Sequence, residues 1–198
     1  MTVSIKVDIC VIGAGSGGLM VAAGASQLGV DVALVERHLM GGDCLNFGCV
    51  PSKALLAAGK AAHNIETAGR FGISGGPLRI DTVAVRQHVR DVIAGIAPHD
   101  SVERFQALGV NVIKGAARFT GPREIEVEGQ KITSRRFVIA TGSSPMIPPI
   151  SGLDAIAFLT TETVFDYDRP MEHLVVIGGG PIGAELAQAH RRLGSAVT

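Results

Sequence analysis

The stretch GGDCLNFGCVPSK, residues 41 to 53, holds the side chains best suited to chemistry: Cys44 and Cys49, with Lys53 four residues further on. Two thiols five positions apart admit three readings: a redox pair, part of a metal site, or two reduced structural thiols. In a regular α-helix, residues i and i+5 point about 140° apart and their Cα atoms are separated by roughly 8–9 Å. A disulfide needs Cα atoms within about 7 Å, so a regular helix through the pair forbids the bond. The sequence proposes no such helix. Gly41 and Gly42 precede the pair, Asn46 and Gly48 interrupt it, and Pro51 follows. Gly and Asn let the chain bend back, and Pro is tolerated in a first helical turn. The spacing predicts a helix that starts near Cys49 and runs through KALLAAGKAAHNI. Such a start sets Cys49 at the end of the helix dipole that favours a thiolate, with Lys53 on the same face at i+4. This frame suits a bond that opens and closes. A metal site would need more Cys or His ligands at close spacing, and His38 alone is near, so no metal is expected.

An internal repeat supplies the elements that position these groups. VIGAGSGGLMVAAGASQLGVDV, from Val11, aligns without gaps on VIGGGPIGAELAQAHRRLGSAV, from Val176, at a constant offset of 165. Gly13, Gly15 and Gly18 pair with Gly178, Gly180 and Gly183. A lone G-x-G-x-x-G is weak evidence, but each copy here follows a β-branched run and opens an apolar helix pattern, the context of a dinucleotide fingerprint. In that role the first glycine permits the tight turn, the second lets a pyrophosphate approach, and the third lets helix lie on strand. The phosphates rest on the free N–H groups of the helix start. VDVALVE completes the first copy as a second strand ending in Glu36, placed to bind ribose hydroxyls; the plain alternative is a solvated strand end. In the second copy the matching acid would be residue 201, past Thr198, so the chain is expected to be part of a longer protein.

Between the repeats, residues 82–109 carry helical spacing interrupted near Pro98. Residues 110–142 read as short strands with turns at Gly121-Pro122 and Glu128-Gly129. The fold class is α/β, Rossmann-like, a parallel sheet flanked by helices with a small antiparallel insertion. Pro148, Pro149 and Gly152 make a linker, dividing a domain of residues 1–149 from the start of a second, residues 150–198.

Composition narrows the class. Lys plus Arg and Asp plus Glu number 18 each in 198 residues, which leaves no electrostatic case for nucleic acid or an anionic membrane. Three cysteines and no Trp do not describe a secreted disulfide scaffold. The N-terminus has no signal-peptide pattern. The uncharged run Ile9–Val30 is long enough for a membrane span, but its glycines fit strand, turn and helix better. A soluble, cytoplasmic protein is expected. Cys10, in the first strand, reads as a buried small apolar residue. His63, His88, His99, His173 and His190 have no nucleophile nearby in sequence and read as structural.

Two fingerprints, a C-x4-C pair behind the first and the ATG of residues 140–142 before the second stand together. In this the chain resembles the flavin-dependent pyridine nucleotide–disulfide oxidoreductases, the family of dihydrolipoamide dehydrogenase, glutathione reductase and mercuric reductase. GGDCLNFGCVPSK is the specific part of the resemblance, which covers the whole chain; the chain would be less than half of such an enzyme. The resemblance implies FAD on Gly13, Gly15 and Gly18, with Glu36 at the adenosine ribose and Gly42, Thr141 and Gly142 at the cofactor. It implies NAD(P)H on Gly178, Gly180 and Gly183. It makes Cys44–Cys49 a redox disulfide, with Cys49 facing the flavin and Cys44 exchanging with substrate. Lys53 would lie near the flavin, paired with Glu185, where a fixed cation favours a flavin gaining negative charge. It implies a homodimer acting on a lipoyl-type or other small disulfide. The catalytic His and Glu of the family lie near its C-terminus, outside this chain, so the chain alone is expected to be inactive. Mercuric reduction and a non-catalytic flavin-binding module are the alternatives. Three positions depart from the family's pattern: Asp43 stands where Thr is usual, Pro181 replaces a larger residue, and Ser52 occupies a position that is often Lys in glutathione reductases.

Overall fold

A computed structural model describes residues 4–167 and 169–198. They fall into two compact units, one of residues up to 46 with 95–148 and the other of residues 47–94 with those from 149 onward. One division falls between Pro148 and Pro149. Residues 47–94 group by their contacts with residues 149–198.

In the first unit the β-branched run SIKVDICVI forms β1 (Ser4–Ile12), and VALVE forms β2 (Val32–Glu36). Between them the glycine-rich turn leads into α1 (Ser16–Gln27). The uncharged stretch is therefore strand, turn and a helix of 12 residues. Among the described residues no helix is long and apolar enough to cross a membrane. A short α2 (Gly42–Asn46) follows β2. After residue 94 come α5 (Val102–Ala107), β3 (Asn111–Lys114), β4 (Arg118–Gly121), β5 (Glu124–Val127) and β6 (Gln130–Ile139).

The sheet order is β3-β2-β1-β6-β5-β4, with β3, β2, β1 and β6 parallel and β6, β5 and β4 antiparallel. The expected antiparallel insertion is this β4–β6 meander, and Glu128 (φ +48°) and Gly129 (φ +76°) make its last turn as the sequence indicated. Val11, Val32 and Leu34 pack with Leu19 and Ala22 of α1 and Phe105 of α5, while Cys10, Ala33 and Val35 pack with Ile125, Val127 and Ile132. Ser101 caps α5 by accepting from the Arg104 N–H at 3.2 Å. That cap fixes Phe105 in the first core.

In the second unit α3 (Cys49–Thr67), α4 (Thr82–Ile96, its last two residues in the first unit) and α6 (Pro181–Arg192) meet around Ala54, Leu55, Val89 and Ala189. Gly59 of α3 lies against Ala189, where an added Cβ would sit 3.2 Å from the carbonyl oxygen. Short β7 (His173–Leu174) and β8 (Ala196–Val197) pair in parallel on either side of α6 in sequence.

Two glycines of α1 separate packing from propensity. A Cβ on Gly18 would collide with the Gly13 carbonyl, whereas one on Gly24 would meet nothing within 4 Å. Gly18→Ala should cost more than about 2 kcal/mol and Gly24→Ala should stabilise by about 0.5–1 kcal/mol, both read from urea unfolding. Equal effects would remove the turn contact from this account.

Candidate functional site

The first fingerprint is built by backbone contacts that only glycine allows. Gly13 has φ +104°, and a Cβ there would strike the Ala140 carbonyl. The same Cβ would lie 3.1 Å from the Thr141 nitrogen, and Ala140 N–H donates to Ile12 O at 2.8 Å. The end of β6, with Thr141 and Gly142 (φ +69°), is thereby set beside the turn. On the other side, Gly41 N–H donates to Ala14 O at 2.9 Å, and a Cβ on Gly42 would lie 2.6 Å from Gly15 Cα. Glu36 is buried, against the expectation of an exposed strand end as its plain alternative. Its carboxylate accepts from Ala14 N–H at 2.6 Å and from His38 N–H at 2.7 Å.

The second fingerprint repeats the geometry inside its own unit. Gly178 has φ +114°, and a Cβ on Gly183 would strike the Gly178 carbonyl. Val176 Cγ1 would stand 3.3 Å from that Cβ, as Val11 Cγ1 would from a Cβ on Gly18. N-caps Gly15 (φ −76°, ψ −179°) and Gly180 (φ −71°, ψ 176°) have matching extended conformations.

Cys44 is half-buried on α2 and Cys49 is exposed as the first residue of α3. The helix starts where the sequence placed it, after a break at Phe47 and Gly48. Ser52, buried one turn in, donates from Oγ to Cys49 O at 3.2 Å. Lys53 Nζ reaches both carboxylate oxygens of Glu185, at 2.7 and 2.6 Å, joining α3 to α6. Glu185 is on the second turn of α6, which begins at Pro181 and has no acid in its first turn.

The family described as pyridine nucleotide-disulphide oxidoreductase matches residues 7–198. The chain belongs to this family. A dihydrolipoyl dehydrogenase of Thermus scotoductus is 40% identical over 204 residues, covering 96% of this chain and 41% of its own length. A mercuric reductase of Lysinibacillus sphaericus is 35% identical over 191 residues, covering 96% of this chain and 35% of its own. The solved structure of the HOCl-induced flavoprotein disulfide reductase RclA from Escherichia coli superposes with a TM-score of 0.80 at 26% identity, over 96% of this chain and 41% of that one. The chain thus spans about 35–41% of the length of these two curated relatives.

Within this chain, the middle glycines need a different explanation from their neighbours. Gly15 and Gly180 have ordinary φ values. A Cβ on Gly15 would meet nothing nearer than Gly42 Cα at 3.8 Å, and one on Gly180 nothing within 4 Å. The protein's own packing would tolerate a Cβ at either. Both stand before helix starts with no side-chain cap and no first-turn acid, where the leading N–H groups have no partner within the helix. Open space lined by donors fits a pyrophosphate. Glu36 fits a ribose as well: a carboxylate has about four acceptor sites, and backbone N–H groups engage two.

The structure thus gathers Gly13, Gly15, Gly18, Glu36, Gly42, Thr141 and Gly142 in one unit, and Gly178, Gly180, Gly183, Lys53 and Glu185 in the other. The division falls between Cys44 and Cys49. A cavity of about 40 Å³ in the second unit, lined in part by Arg86, His190 and Ser195, has room for a water or two and not a nucleotide. Burial there, and then the Arg86 charge, pull the His190 imidazole below its usual range. No group of three or more Cys, His, Asp or Glu suited to a metal occurs among the described residues. Sequence reasoning missed the carboxylate strut from Glu36 to Ala14 and the part of Asn46. Asn46 was visible only as a residue that permits a bend, yet its Nδ2 donates to two carbonyls.

Cys10 is wholly buried, and desolvation pushes its thiol up to about 12 from 9.0. The folded thiol keeps its proton where the unfolded one ionises. Its contribution to stability is therefore full below about pH 9 and lost as pH rises towards 12. Cys10→Ala should flatten the fall of the urea midpoint between about pH 9 and 11, and iodoacetamide should label native Cys49 but not Cys10. An unchanged slope in the variant would assign the alkaline loss to other groups.

Proposed function

We propose that this chain supplies the cofactor-binding and dithiol elements of an FAD-dependent NAD(P)H:disulfide oxidoreductase. The observation that carries the reading is the pair of middle glycines, Gly15 and Gly180, left open in front of uncapped helix starts. Bound FAD supplies a two-electron link between a hydride donor and thiols. The N–H groups after Gly15 hold the FAD pyrophosphate, Gly42, Thr141 and Gly142 border it, and Glu36 orients the adenosine ribose. Gly178, Gly180 and Gly183 hold NAD(P)H. Residues 1–149 are read as the FAD domain and residues 150–198 as the start of the NAD(P) domain.

The reduced pair then works on substrate. The Cys44 thiolate attacks a substrate disulfide, forming a mixed disulfide and releasing one thiolate. Cys49 attacks the Cys44 sulfur, the second substrate thiolate leaves, and a Cys44–Cys49 disulfide remains. Two electrons pass to the substrate, and its two sulfurs take up protons. Lys53, held by both oxygens of Glu185, sets a cation one turn from Cys49 on α3. A lipoyl-type disulfide is the first substrate, supported by the 40% identical dihydrolipoyl dehydrogenase. Mercuric ion is the second, supported by the 35% identical mercuric reductase. The working form is a cytoplasmic homodimer.

The test is a visible spectrum of the full-length protein titrated with NADH and then NADPH. A flavin spectrum that gains a long-wavelength thiolate-to-flavin band supports the reading, and flavin that bleaches without it moves a non-catalytic flavin-binding module to first place. Dihydrolipoamide and mercuric ion, offered in turn, separate the two substrates. Cys44→Ser and Cys49→Ser should each abolish disulfide turnover with flavin retained. Gly15→Ala should change the unfolding free energy from urea titration by less than about 1 kcal/mol, because an added Cβ there meets nothing nearer than Gly42 Cα at 3.8 Å, and lose at least tenfold in FAD affinity. Full affinity in that variant would sink the pyrophosphate assignment.

A further inference from the structure

Asn46 closes α2, and its side chain turns back along the chain. Nδ2 donates to Met40 O at 3.0 Å and to Gly42 O at 2.8 Å. Those carbonyls bracket Gly41 (φ +84°) and Gly42 (φ +57°), two consecutive residues in the left-handed region. Glycine enters that region freely but leaves it as freely, so a turn made of two glycines needs an outside restraint. α2 supplies little of its own, since its 5 residues are too few for a helix to hold itself. The restraint comes from two sides. Leu45, buried, covers Gly41, where an added Cβ would strike its side chain. Asn46 ties the carbonyl on each side of the glycine pair to the last residue of α2.

This clamp stands between two groups already described. Through Gly42 it reaches Gly15, the cap of α1; through Gly41 N–H it reaches Ala14 O, whose own N–H is held by Glu36. On the other side it carries Cys44, two residues before Asn46 on α2. An amide is suited to the task because its NH₂ has two donors in one plane. A carboxylate of the same shape would face both carbonyls with acceptors only.

We propose that Asn46 is a positioning residue that registers Cys44 against the Gly13–Gly18 loop, so that sulfur exchange at Cys44 depends on the clamp. The inference rests on the reading of Cys44 as the substrate-side thiol. Asn46 touches no reacting atom; it acts through Gly42 and the single turn of α2.

The experiment compares wild type, Asn46→Ala and Asn46→Asp as the flavin-loaded full-length protein. Disulfide-reducing kcat should fall about tenfold in Asn46→Ala and further in Asn46→Asp. KM for the nicotinamide nucleotide should stay unchanged, because Gly178–Gly183 belong to the other unit. The rate of Cys44 alkylation in the reduced protein should shift, while the thiolate-to-flavin band of Cys49 persists. Wild-type kcat and alkylation rates in both variants would overturn the proposal, as would a uniform loss of band, nucleotide KM and stability, which marks a merely structural role. Absence of the band in wild type would instead overturn the underlying redox reading, and this inference with it.

Discussion

Backbone lying directly on backbone at the first glycine turn is the constraint on which the rest of this structure depends. The Ala140 carbonyl fills the place of a Cβ on Gly13, the Gly13 carbonyl that of a Cβ on Gly18, and Gly15 Cα crowds that of Gly42. These contacts bring three chain segments, the start of α1, the end of β6 and the start of α2, to one point of the first unit. Glu36 then braces the turn from β2, accepting from Ala14 N–H. Interiors at near-crystalline density transmit displacement, so a loop built this way holds its donors in place.

The same turn recurs in the second unit with different surroundings. Gly178 and Gly183 repeat the carbonyl contact of Gly13 and Gly18. The helix that follows is tied to α3 by Lys53 and Glu185 and by the close approach of Gly59 to Ala189. Lys53 is mostly exposed, and pairs of this kind contribute at most about 1 kcal/mol to stability. Packing at Gly59 and Ala189 holds the helices together. The ion pair is better understood as fixing where the Lys53 charge stands.

The chemistry proposed here separates glycines kept for the fold from glycines kept for a ligand. Gly13, Gly18, Gly42, Gly178 and Gly183 are demanded by neighbouring backbone or by φ. Gly15 and Gly180 are not, and their openness before uncapped helix starts is what the proposed cofactors would account for. The cavity beside His190, at about 40 Å³, takes little more than water.

The sequence by itself determined the local elements, because those are set by periodicity and by residues with restricted backbones. The repeat at an offset of 165, the helix start at Cys49, the interruption near Pro98 and the turn at Glu128-Gly129 were all legible. The pairing of Lys53 with Glu185 was reachable only through the family resemblance, as 132 residues separate them. Tertiary structure alone decided the burial of Glu36, the grouping of residues 47–94 with 149–198, and the double bond made by the Asn46 amide. The physical reason is common to all three. A side chain's type states what it can donate or accept, but which partner meets it, and whether water is excluded there, depends on segments brought together only when the chain has folded.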